Sequence, residues 1–394
     1  MNSLFIFLIR LSALFACPAL AIASLPFKDV SETAIPVGIT DRRSMDVEMA
    51  DFDRDGDLDI LVAMEFTKNL LLVNQGDGTF SDGSDHLPDP IHDSEDIAVS
   101  DFDGDGDLDA LIVSEDDRTD LYYLNDGAGR FSIQALPTAE VTNGVAGGDL
   151  DGDGDTDIVT GNAGANFLWL NEKGKFSILS GAIPTKDWVS QDVQLGDLDG
   201  DGDLDLVEAN EGLNRVLLND GEGNFTVVKN AFGGITPRES RQAALGDVDG
   251  DGDLDVAFGN GALGYHRSQA REGIDIGYAN RLFLNDGKGS FRLSQGLPEE
   301  ELQSVHIDLL DLDHDGDLDI LTAHVENFRE PGQGRVIAYL NDGSGSFTDE
   351  TSNIFPDSFR GNGWDTAVGD INGDGKPDIY LANRWGEDRL LLGN

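Results

Sequence analysis

One nine-residue motif recurs seven times along the chain, and it constrains the fold more than any other feature. It reads DFDRDGDLD at 51–59, DFDGDGDLD at 101–109, DLDGDGDTD at 149–157, DLDGDGDLD at 197–205, DVDGDGDLD at 247–255, DLDHDGDLD at 311–319 and DINGDGKPD at 370–378. Successive copies start 50, 48, 48, 50, 64 and 59 residues apart. Repeats of this length signal a stacked or radial architecture in which no unit buries its apolar face alone. Each copy sits in the same frame. A short alternating stretch such as Ile97-Ala98-Val99-Ser100 precedes it, and an apolar run such as Ala110-Leu111-Ile112-Val113 follows. A third run ends in an Asn-Asp-Gly turn at Asn125, Asn219, Asn285 and Asn341, with looser versions at Asn74 and Asn171. Asn and Gly accept positive φ, so this is a hairpin signal. A fourth strand begins at the Phe that follows. Helical periodicity is absent from these units. Four strands per repeat and seven repeats predict an all-β, seven-bladed β-propeller of four-stranded blades.

The two ends of the chain complement each other. The last repeat stops at Leu390–Asn394, in its third strand, whereas Leu25–Ser31 reads as a lone fourth strand led by Phe27. The expectation is that this N-terminal strand completes blade seven and removes an exposed edge. Residues 1–23 are apolar with one Arg10 and end Ala21-Ile22-Ala23, the pattern of a secretory signal cleaved before Ser24, which leaves a single propeller over 24–394. A lipidated Cys17 is the poorer reading because Phe15 and Pro18 fit a lipobox badly, and an uncleaved anchor is the other alternative. With Cys17 in the leader, the mature chain has no cysteine, so a secreted, periplasmic or cell-surface protein of this kind needs a staple other than a disulfide.

The motif supplies one. Ca²⁺ takes six to eight hard oxygens, and alternating carboxylates in a tight loop provide them. The first four copies offer Asp51, Asp53, Asp55, Asp57 and Asp59; Asp101, Asp103, Asp105, Asp107 and Asp109; Asp149, Asp151, Asp153, Asp155 and Asp157; and Asp197, Asp199, Asp201, Asp203 and Asp205. The last three offer Asp247, Asp249, Asp251, Asp253 and Asp255; Asp311, Asp313, Asp315, Asp317 and Asp319; and Asp370, Asn372, Asp374, Lys376 and Asp378. Gly occupies position 6 of every copy, where the turn is sharpest. The chain runs straight into a strand after position 9 and lacks the position-12 Glu of a helical calcium loop, Glu208 being the one acidic exception. Up to seven Ca²⁺ ions, one per blade, are expected. The seven copies hold 33 acids and two bases, so they supply −31 of the −50 net charge. So much acid argues against nucleic acid and against anionic membrane surfaces.

Motif and frame resemble the FG-GAP/VCBS repeats of secreted proteins and the calcium-loaded propeller of the integrin α-subunit head. The resemblance implies a seven-bladed propeller with metal held by positions 1, 3, 5 and 9 and by the backbone carbonyl of position 7. That carbonyl role makes the Lys376 side chain tolerable. It implies no single activity, because the fold hosts many.

Strand parity places the calcium loops and the Asn-Asp-Gly turns on one face, and the remaining loops and blade links on the other. The second face carries the variation, where binding residues tend to sit. Blade five has an insertion with Tyr265, His266, Arg267, Arg271 and Tyr278; blade six has Phe328 and Arg329; blade seven has Trp364, Arg384 and Trp385. These aromatic and Arg side chains are the candidate ligand contacts. The Trp residues have a second reading as fillers between blades. Arg215, Arg281, Arg335 and Arg389, at matching positions before strand three, read as structural. Segments selected from this face hold 14 acids and 13 bases, a nearly neutral surface. Strand one begins with Asp46, Asp96, Asp192, Gln242, His306 or Asp365 in six blades. These residues either form a ligand or cation site near the central channel or cap backbone between blades.

The expected function is a secreted, non-catalytic binding or adhesion module for an extracellular protein or polysaccharide, with no membrane insertion once the leader is cleaved. The alternative is a polysaccharide lyase or hydrolase, for which Tyr265-His266-Arg267 supplies the residue types but no nucleophile motif is present. A structural spacer is the third reading.

Overall fold

The computed structural model describes residues 27–394 except 40, 89, 137–139, 187, 236–237, 262–276, 326–333, 357–358 and 360–362. The chain forms a β-propeller of seven four-stranded antiparallel blades. Blade one comprises Asp41–Ala50, Asp59–Thr67, Leu70–Asn74 and Phe80–Asp82, and blade two His92–Ser100, Asp109–Ser114, Leu121–Asn125 and Phe131–Ala135. Blade three is Thr142–Gly148, Asp157–Asn162, Phe167–Asn171 and Phe176–Ile178; blade four is Ser190–Gly196, Asp205–Asn210, Arg215–Leu218 and Thr226–Val227. Blade five is Ser240–Gly246, Asp255–Asn260, Arg281–Asn285 and Phe291–Leu293; blade six is Ser304–Leu310, Asp319–His324, Arg335–Asn341 and Phe347–Asp349. Blade seven takes Gly363–Gly369, Asp378–Glu387 and Arg389–Leu392 from the C-terminus and Lys28–Asp29 from the N-terminus, with Lys28 opposite Leu392 and Asp29 opposite Leu391. Phe27 is buried against Phe355, ring centroids 5.5 Å apart. The N-terminal strand thus completes the last blade.

The described core consists of seven apolar clusters, one between each neighbouring pair of blades. The cluster joining Val47, Ile60 and Leu72 of blade one to Ala367, Tyr380 and Leu390 of blade seven closes the ring. Second strands such as Asp109–Ser114 are buried at every residue, because both faces of a blade are covered by its neighbours. Of the described helices none is long and apolar enough to cross a membrane.

Blades three to six are separate four-stranded sheets, but blades seven, one and two merge into one twelve-stranded sheet. The second strand of blade one overruns its blade and pairs with blade two, Glu65 opposite Asp93 and Thr67 opposite His92. The first strand of blade one begins early and pairs with blade seven, Arg43 opposite Arg384. These overruns rise on the face opposite the nonapeptide loops. The repeat pattern gives no hint of them.

Candidate functional site

Each nonapeptide is a tight loop between the first and second strands of its blade. In the first copy, Asp51 accepts hydrogen bonds from the backbone N–H groups of Asp55 and Gly56, Asp53 from Asp55, and Asp55 from Asp57. Gly56 has φ 97°, and the position-6 glycines of all seven copies share a positive φ that L side chains avoid. Carboxylate oxygens of Asp51, Asp53 and Asp55 approach within 4.8 Å of one another, as do those of Asp101, Asp103 and Asp105, of Asp149, Asp151 and Asp157, and of Asp197, Asp199 and Asp205.

Position 9 has a structural duty as well. Asp205 is fully buried; its Oδ1 accepts from Asn219 N at 2.8 Å and its Oδ2 from Leu198 N at 2.9 Å. The same pair of bonds recurs at Asp59, Asp157, Asp255, Asp319 and Asp378. Burial pushes Asp59, Asp255 and Asp319 up to about 7, and the charges at positions 3 and 5 push the same way against the donated N–H bonds. The residues fit a hard cation on one further ground. Asp199 Oδ1 and Asp249 Oδ1, both at position 3, are buried with no hydrogen-bond partner. An uncompensated buried carboxylate oxygen is costly, and a dication at the loop centre would relieve it. Positions 1, 3, 5 and 9 would hold the ion.

The turn asparagines lock this face together. Asn341 Nδ2 donates to Val248 O at 2.8 Å in the preceding blade and to Leu318 O at 3.0 Å in its own. Asn74, Asn125, Asn171, Asn219 and Asn285 each reach the equivalent carbonyl one blade back.

The polar residues at the start of strand one act mainly as caps. Asp46 Oδ2 accepts from Ile97 N at 2.9 Å, Asp96 Oδ2 from Val145 N at 2.7 Å, Asp192 Oδ2 from Ala243 N at 2.8 Å, Gln242 Oε1 from Ile307 N at 2.9 Å and Asp365 Oδ2 from Val47 N at 3.1 Å. Each acceptor lies one blade before its donor, and Asp365 closes the circle. His306 instead contacts Thr366 Oγ1 at 2.6 Å and pairs with Asp365. These first strands enclose a channel of about 870 Å³, lined by Asp46, Glu48, Glu95, Asp96, Asp192, Asp308 and Asp365 against Arg241 and His306. Burial, then the charges of Asp96 and Asp308, push Glu48 up to about 8. Burial also lifts Asp365 to about 7.

Beside the channel mouth, the overrunning strands bring together residues from blades seven, one and two. The Arg384 guanidinium stacks on Trp364, 4.4 Å from the ring centroid, and pairs with Glu65. Arg43 Nη1 lies 3.5 Å from Glu65 Oε2, and its guanidinium carbon sits 5.7 Å from the Phe66 ring centroid. Phe66 is 48% exposed and has φ 57°, a strained backbone for an aromatic residue. Nearby, carboxylate oxygens of Asp93, Glu95 and Glu115 lie within 4.8 Å of one another. This rim is therefore more acidic than the nearly neutral loop segments suggest.

Of the ten candidate ligand contacts, Trp364 and Arg384 are brought together. Tyr278 sits on blade five, its N–H bonded to Glu301, remote in the ring order from blade seven. Tyr265, His266, Arg267, Arg271, Phe328 and Arg329 lie outside the described residues, as does the Trp385 side chain. Arg215 is structural, its guanidinium clamping buried Glu208 at 2.6 and 2.7 Å. Glu65, Phe66 and Arg43 escaped the sequence reading. Their signal was the excess length of strand two in blade one, which leaves no trace in the repeat spacing.

The profile of the FG-GAP-like repeat matches residues 51–112, 101–160, 149–208, 197–258 and 328–381. Curated proteins yield no match. Among solved structures, the chain is similar to a lectin of Agrocybe aegerita described as recognising non-reducing terminal N-acetylglucosamine, with 20% identity, 90% of each chain covered and a TM-score of 0.58. It is also similar to BBS1N in complex with ARL6DN, with 11% identity over 94% of this chain and 97% of that one and a TM-score of 0.60. At such identities the likeness concerns the fold. The repeat matches together cover well over half of the sequence, and the chain belongs to the FG-GAP-like repeat family.

Proposed function

We propose that the chain is an exported, calcium-stapled propeller that binds a glycan or an extracellular protein through the face opposite its nonapeptide loops, without catalysis. Buried, partnerless oxygens at Asp199 and Asp249 support the calcium part of this reading. The binding part rests on one observation. The strained and half-exposed Phe66 lies beside Arg43, Glu65, Arg384 and Trp364 on a raised rim built by three merged blades. Strain concentrated at exposed aromatic and ion-pair groups is a feature of ligand sites. Aromatic rings set among Arg and carboxylate groups suit a sugar, whose C–H face packs on a ring while its hydroxyls bond to the charges.

The lectin neighbour makes glycans with non-reducing terminal N-acetylglucosamine the first ligands to try. A screen of chain 24–394 against a polysaccharide panel, with calcium and with chelator, tests the reading. Retention that needs calcium and disappears in Trp364→Ala, without new reducing or unsaturated ends, supports it. Release of such ends shows an enzyme instead. Silence across the panel points to a protein partner.

A further inference from the structure

The first strand of every blade slips register against the second near its start. The slip falls between Ser94 and Asp96 in blade two, between Thr142 and Gly144 in blade three and between Ser304 and His306 in blade six. Such a bulge re-aims the skipped side chain. Three equivalent places therefore recur in each blade: the skipped residue, the residue two before it and the residue just after the second strand's opposing position. In blade three these are Asn143, Val141 and Ala163, and in blade six Val305, Gln303 and Val325. The fold thus needs no acid at any of them. Blade two alone has an acid at all three: Glu95, Asp93 and Glu115.

Carboxylate oxygens of these three residues lie within 4.8 Å of one another. Asp93 is only 2% exposed. Its Oδ2 accepts from Asp116 N at 3.0 Å, and its own N–H donates to Asp117 Oδ2 at 2.7 Å, which folds the segment after Glu115 back onto it. Its Oδ1 is buried with no hydrogen-bond partner, the same signature that Asp199 and Asp249 carry inside the nonapeptide loops. Among the described residues no ion pair reaches any of the three carboxylates. The guanidinium groups whose fields touch Glu115 are engaged elsewhere, Arg384 with Glu65 and Arg241 with Glu211 and Glu239. A buried, unpartnered carboxylate oxygen beside two further carboxylates is costly unless a cation joins them.

We propose that blade two carries a cation site of its own on the face opposite the nonapeptide loops, in which Asp93, Glu95 and Glu115 hold one Ca²⁺. Oxygens 2.3–2.6 Å from such an ion lie within about 5 Å of each other, which the cluster satisfies. Three carboxylates leave part of the six-to-eight oxygen shell to water, and the exposed Glu115 keeps that side open. The site does not depend on what the neighbouring rim binds.

Calcium binding by equilibrium dialysis at millimolar free calcium, together with long-wavelength anomalous diffraction from crystals grown in calcium, tests this. The unsubstituted protein should show an anomalous peak between Asp93 Oδ1 and the Glu95 and Glu115 carboxylates. Glu115→Gln, at an exposed position that folding tolerates, should weaken this site about tenfold or more and lower the bound count by one ion. Asp93→Asn, whose amide oxygen can still accept from Asp116, should do the same. Glu299→Gln, an exposed acid on the link between blades five and six, makes the same charge change and should leave the count unaltered. A count unchanged in both rim variants, an equal loss in Glu299→Gln, or no anomalous peak at Asp93 would each overturn the proposal.

Discussion

Ser100 Oγ lies 2.9 Å from Thr156 Oγ1 across the boundary between blades two and three. At four other boundaries the same two places hold a glycine and a leucine. A Cβ added at Gly148, Gly196, Gly246 or Gly369 would fall 2.5, 2.8, 2.6 or 2.7 Å from the Cδ1 of Leu204, Leu254, Leu318 or Leu58. At these four boundaries the leucine at position 8 of a nonapeptide packs on a bare backbone in the blade before it, whereas Leu108 shares its cluster with the small side chain of Ala50. Where the leucine gives way to Thr156, a serine fits and a hydrogen bond replaces the apolar contact. Thr156→Leu alone should destabilise the protein by about 1–3 kcal/mol through overpacking against Ser100. Adding Ser100→Gly should restore most of that loss. Denaturant unfolding of the two single variants and the double variant checks this, and additive effects would contradict it.

Asn341 ties its turn to two carbonyls, one in each of two blades, at 2.8 and 3.0 Å. Asn341→Ala leaves those carbonyls short of a donor and should cost about 1–3 kcal/mol. The loss should appear at saturating calcium and leave the midpoint of calcium-dependent stabilisation unchanged, because the bond joins blades rather than metal ligands.

Glu48 lies in the channel facing Asp96 and Asp308, and burial pushes it up to about 8 from an ordinary value of 4.5. A folded state with a raised carboxyl pKa holds a proton that the unfolded chain releases. Its contribution to stability is complete below the ordinary value and is lost as pH rises through about 8. Glu48→Gln stays neutral throughout. Its melting temperature should match that of the unsubstituted protein near pH 4 and exceed it by several degrees at pH 9, both at saturating calcium. A difference independent of pH would contradict the buried-carboxyl assignment.

Phe66 holds φ 57° while remaining half exposed. A left-handed aromatic residue stores about 1 kcal/mol or more. Phe66→Gly relieves that strain, so thermal stability should stay level or rise while retention on the bound glycan or protein falls. A variant that loses stability and keeps its binding would show that the rim serves folding instead.

The ring was legible in the sequence because every blade repeats the same local chemistry. The Asp loop, the apolar second strand and the Asn-Asp-Gly turn recur in register, and the orphan strand at Phe27 stood out for want of a repeat of its own. The inter-blade duty of Asp46 and Asp365 was legible only as one of two readings. Hydrogen bonds from Ile97 and Val47 are contacts between residues 51 and 318 positions apart, which no local pattern displays. The Phe66 rim was not legible. It arises from strand lengths that vary without changing repeat spacing. Six candidate contacts in the insertions of blades five and six lie outside the described residues.

Calcium as the staple of a cysteine-free propeller is tested most directly by the melting temperature of chain 24–394 in millimolar calcium and in excess chelator. With site affinities of roughly 10⁻⁴ M, each occupied loop adds on the order of 1–2 kcal/mol, and seven together rival the stability of a whole domain. The predicted result is a fall of tens of degrees, or outright unfolding, on chelation, with recovery when calcium is returned. A melting temperature that does not move between the two buffers would contradict it.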